Sequence, residues 1–60
     1  MDPDVTYYEM YLAMSTKDYS GARELAISLR DWLNNGGFWP TKYTQIEVKS
    51  YLASVLRRTK

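Results

Sequence analysis

No cysteine and no histidine occur among the sixty residues, and the two absences remove whole classes of chemistry. Without Cys there is no disulfide to staple the fold, and without Cys or His the usual zinc and iron ligand sets are missing. The Ser-His, Cys-His and metal-water mechanisms go with them, leaving carboxylates, Lys, Tyr or Ser as the available acids, bases and nucleophiles. The carboxylates do not cluster: Glu24 and Asp31, a heptad apart on one outer helix face, read as solvated charges. Neither catalysis nor a bound metal or cofactor is expected. Glycine and proline are scarce, at three and two residues, and Gly36-Gly37 lacks the strand, Lys and Ser/Thr context of a phosphate loop. No apolar run approaches the roughly 20 residues of a membrane span, and the start Met1-Asp2-Pro3-Asp4 is acidic where a signal peptide is basic. The expected location is cytoplasmic, with no membrane contact.

What is present suits packing. Hydrophobic residues make up 45% of the chain and aromatic residues 15%, including six Tyr and two Trp, far from the polar profile of a disordered segment. A chain of this length buries only about 60% of its unfolded surface and holds a single core, so residues 1–60 are read as one domain stabilised by packing or self-association. The net charge of +1 implies no polyanionic partner by itself. Its distribution is uneven: residues 1–30 hold five acids and three bases, residues 31–60 two acids and five bases.

The pattern predicts an all-α three-helix bundle. The first helix is placed at about 3–15, with Asp2 as N-cap and Pro3 in the first turn, and Thr6-x-x-Glu9 competes as a capping box. Val5, Tyr7, Tyr8, Met10, Tyr11, Leu12 and Met14 cover about 220° of its wheel, against roughly 100° for the stripe of an ordinary surface helix. The second helix is placed at 19–34, capped by Asp18 and stopped by Asn35-Gly36-Gly37. Tyr19, Ala22, Leu25, Ala26, Leu29, Trp32 and Leu33 form its core face, with Arg23, Glu24, Ser28, Arg30 and Asp31 opposite. The third is placed at 45–58. Thr44-Gln45-Ile46-Glu47 supplies a capping box, Tyr43 and Val48 a hydrophobic staple, and Val48, Tyr51, Leu52, Val55 and Leu56 the stripe. Between the last two helices, the loop 36–43 is unusually aromatic.

Asp18-Tyr19-Ser20-Gly21-Ala22, followed by Leu25, Ala26 and Leu29, resembles the start of the second helix of a tetratricopeptide repeat over about twelve residues. The preceding helix departs from that family, with Thr6, Glu9, Met10 and Ala13 where it places a Trp, Leu, Gly and Tyr series. No second repeat follows, and no binding residue is carried over.

Two kinds of contact surface are expected. The first is a protein interface, chiefly with a second copy of the chain, formed by Tyr7, Met10, Tyr11 and Met14 of the first helix, because two neighbouring helices cannot cover so broad an apolar arc. In the aromatic loop, Phe38 and Trp39 either plug one end of the bundle or stand out as anchors for a partner. The alternative is nucleic-acid binding through Lys42, Lys49, Arg57, Arg58 and Lys60. Against it, the third helix follows a long connector instead of the roughly three- or four-residue turn of a helix-turn-helix.

Overall fold

The computed structural model describes residues 1–60 as three helices without strands: α1 Pro3–Ser15, α2 Tyr19–Asn34 and α3 Gln45–Arg58. These are the predicted spans, and the cap geometry explains why. Asp2 precedes α1 in an extended conformation, and its carboxylate accepts from the Asp4 and Val5 N–H groups at 3.1 and 3.3 Å. This satisfies two of the donors that a helix start leaves unpaired, and the competing Thr6 cap does not form. Asp18 accepts from Gly21 N–H at 3.1 Å at the start of α2. At α3 the Thr44 hydroxyl accepts from Glu47 N–H at 3.1 Å. Half of the expected capping box is therefore present. The Glu47 carboxylate accepts a hydrogen bond from the Thr44 hydroxyl at 3.1 Å, in place of the backbone N–H of a full box.

Helices α1 and α2 end in the same motif built from different residues. After α2, Gly36 N–H donates to Leu33 O and Gly37 N–H to Trp32 O, with Gly36 left-handed at φ 85°. After α1, Lys17 N–H donates to Met14 O and Asp18 N–H to Ala13 O, with Lys17 left-handed at φ 61°. Both are Schellman turns, which require a positive φ just past the helix end. The glycine stop was readable in the sequence. The lysine one was not, since an L residue rarely adopts this conformation.

Helix α2 is the spine of the bundle, packing most extensively on α1 and to a lesser degree on α3. Its fully buried Ala22 and Ala26 remove side-chain bulk where a neighbouring helix must approach, and Leu29 continues the same face. The core consists of these three with Tyr7 and Met10 from α1 and Val48, Leu52 and Val55 from α3. Leu25, Trp32 and Leu33 border it, whereas Tyr19 is exposed because it is the first residue of α2, beside the turn. Arg23, expected on the outer face, is half-buried and donates to the Leu56 carbonyl at 3.1 Å. It thus places a cation against the C-terminal, negative end of α3.

The loop is fastened from two sides. The Trp32 indole N–H donates to Phe38 O at 3.0 Å, and a Cβ on Gly37 would collide with the Trp32 ring, so Gly37 lets the chain pass under the indole. On the other side, Asp4 of α1 accepts from Thr41 and Lys42 N–H at 2.9 and 3.2 Å and from the Thr41 hydroxyl at 3.0 Å. Pro40 between them is buried.

Candidate functional site

Helix α1 is apolar on two sides, and that property organises the molecule's surface. On a 100° wheel, Pro3, Tyr7, Met10 and Met14 gather on the side that meets the bundle, while Val5, Tyr8, Tyr11 and Leu12 spread over an adjoining arc of about 120° that also holds Asp4 and Ser15. The second set is exposed: Val5 49%, Tyr8 54%, Tyr11 52% and Leu12 42%. Glu9 and Thr16 lie at its edge on the wheel.

The expected interface residues accordingly divide. Met10 is wholly buried and Tyr7 nearly so, and Met14 is half-buried against the core, so these three already spend their apolar surface within the bundle. Tyr11 alone of the four is on the exposed side. Val5, Tyr8 and Leu12 take the places of the others, and no sequence signal separates the two sets, because both are apolar on the wheel.

Backbones of α1 and α3 do not approach closely, and tyrosine rings fill the gap. Tyr7 lies 4.5 Å from Tyr43 and 5.5 Å from Tyr51 between ring centroids, and Tyr11 lies 6.5 Å from Tyr51. A groove of about 320 Å³ beside them is lined by Tyr7, Tyr8, Tyr11, Tyr43, Tyr51 and Glu47. Desolvation, followed by the charges on Tyr43, Tyr51 and Glu47, raises the Tyr7 pKa above its ordinary value. For Tyr51, desolvation likewise raises the pKa and Tyr11 adds to it, against an opposing effect from Arg58. A second groove of about 350 Å³ adjoins it through Tyr8 and Tyr43 and continues along Asp4, Val5, Glu9, Leu12 and Lys42. Partial desolvation pushes the Asp4 carboxyl up, but hydrogen bonds from the Thr41 and Lys42 backbone and the Thr41 hydroxyl, with the Lys42 charge, more than offset this. Its pKa therefore lies below the ordinary value.

The aromatic loop is divided between the core and the surface. Trp39 and Tyr43 pack against the core, while Phe38 is 62% exposed and meets Trp32 edge to face at 5.4 Å. Lys42, Lys49, Arg57, Arg58 and Lys60 are all exposed. The Lys49 ammonium sits 5.9 Å from the centre of the Trp39 ring, over the surface on which a nucleobase would stack.

No group of three or more acidic residues is placed to hold a metal ion, and no helix is long and apolar enough to cross a membrane. No protein-family model, curated protein or solved structure matches the chain.

Proposed function

We propose that the chain is a noncatalytic helical interaction module that associates with itself through the outer side of α1. The observation that carries this reading is the exposed set Val5, Tyr8, Tyr11 and Leu12, four large apolar side chains along one arc of a helix whose adjoining face already supplies the core. Covering it against a second copy would enlarge a core limited by chain length, and a two-fold pairing of one helix with its own copy needs no other surface. Sedimentation equilibrium of the wild type and of Leu12→Glu tests the proposal. The wild type is expected to associate with rising concentration and the variant to remain monomeric. A monomeric wild type at millimolar concentration, or a variant that associates equally, contradicts it.

A second reading, as a nucleic-acid-binding protein, draws on the exposure of the five cations and on their lack of ion-pair partners; the one ion pair in the molecule is Arg30–Asp31 at 3.3 Å. It requires affinity for mixed DNA or RNA to fall steeply with salt, because phosphate contacts release counterions. Salt-independent binding, or none, removes it.

A further inference from the structure

Five of the six tyrosines line a single groove, and the sole charged residue lining it is a carboxylate. A groove meant only to be covered by another apolar surface would gain from aliphatic walls. Tyrosine rings instead carry negative quadrupole potential on their faces, and Glu47 adds a full negative charge to the lining. One Glu47 oxygen accepts from the Thr44 hydroxyl, which fixes the carboxylate at the start of α3 and leaves its other oxygen without a donor. No Lys or Arg lines the groove, and Arg58 influences Tyr51 from outside it. The cavity is therefore complementary to an organic cation.

We propose that the groove between α1 and α3 binds an arginine side chain of a protein partner, with the guanidinium lying against the Tyr11 and Tyr51 rings and donating to Glu47. A guanidinium fits the arrangement better than an ammonium, because it is planar, weakly hydrated and able to stack on a ring while donating in its plane. The open, elongated shape suits a flat head on a long apolar stem, whose methylenes would rest on Tyr8 and Tyr43. The groove shares Tyr8 and Tyr11 with the outer side of α1, so a self-associated chain would cover part of it, whereas a monomer offers it complete.

The test uses a blocked glycyl-arginyl-glycine peptide and its citrulline counterpart, which has nearly the same shape and no charge. Tyrosine ring signals are followed by NMR at protein concentrations low enough to keep the chain monomeric. The arginine peptide should shift the rings of Tyr7, Tyr8, Tyr11, Tyr43 and Tyr51 saturably and leave Tyr19, on α2, unmoved. Citrulline should bind about fivefold more weakly or worse, the discount expected for losing a cation at a partly exposed aromatic site. Glu47→Gln keeps an oxygen for the Thr44 hydroxyl and removes only the charge, and it should weaken binding to a similar degree. Tyr11→Leu, at an exposed position, should do so with the α3 cap untouched. Equal shifts from both peptides, shifts of Tyr19 alongside the rest, or affinity unchanged in both variants would overturn the proposal. Failure of Leu12→Glu to alter sedimentation would leave it standing.

Discussion

At φ 61°, Lys17 holds a left-handed backbone conformation that costs an L residue about 1–2 kcal/mol and a glycine almost nothing. Its side chain is exposed and makes no hydrogen bond or ion pair that glycine would sacrifice. Lys17→Gly should therefore stabilise the fold by about 0.5–1 kcal/mol after the extra freedom of glycine in the unfolded chain is counted. A urea midpoint that rises at unchanged slope is the expected result, and a lower midpoint would show that the turn is unstrained. Asp4 acts in the opposite sense, since one carboxylate receives three hydrogen bonds from a loop thirty-seven residues away. Asp4→Ala should speed hydrogen exchange at the Thr41 and Lys42 amides well beyond exchange at the α2 core. The pKa of Asp4 is lowered in the folded state, so its contribution is present above the unfolded value near 3.8 and is lost as pH falls below it. Acid should loosen the loop in the wild type and have little further effect at that site in Asp4→Ala.

Among the elements, α2 was the most legible in the sequence and α1 the least. The α2 core face recurs at three- and four-residue spacing and ends at Asn35-Gly36-Gly37, so periodicity and stop signal agree. Its buried Ala22 and Ala26 leave room for the neighbouring helices to approach. Ala26→Leu should cost about 1–3 kcal/mol by overpacking the core, measured by thermal or urea unfolding, whereas an unchanged midpoint would mean that the core around α2 has room to spare. The α1 pattern gave correct helix bounds but not the buried side, because apolar residues cover most of its wheel and a period cannot choose between two apolar faces. Tyr7 and Met10 became core and Val5, Tyr8 and Leu12 became surface once α2 supplied a neighbour. Long-range polar contacts were equally hidden: Arg23 to Leu56 O and Asp4 to the loop join residues whose separation in sequence carries no pattern. The tyrosine groove is hidden for the same reason, since the pattern marks Tyr43 as a staple or plug residue and Tyr51 as part of a stripe without showing that α1 meets them.

For the whole molecule, extents of 28 × 20 × 19 Å leave little interior, and no buried side-chain polar atom lacks a partner. Stability comes from one cluster beneath α2 and from two fastenings of the aromatic loop. Against that economy, an outer face of four exposed apolar side chains on α1 is the feature that packing within one chain does not use. Self-association through that face is the central claim. Its most direct test is an NMR dilution series with assigned methyl and aromatic signals. Concentration-dependent shifts should concentrate on Val5, Tyr8, Tyr11 and Leu12, while the signals of Phe38, Ile46 and Ala53 stay fixed. Shifts centred on the loop or on α3, or spectra unchanged from micromolar to millimolar protein, would contradict it.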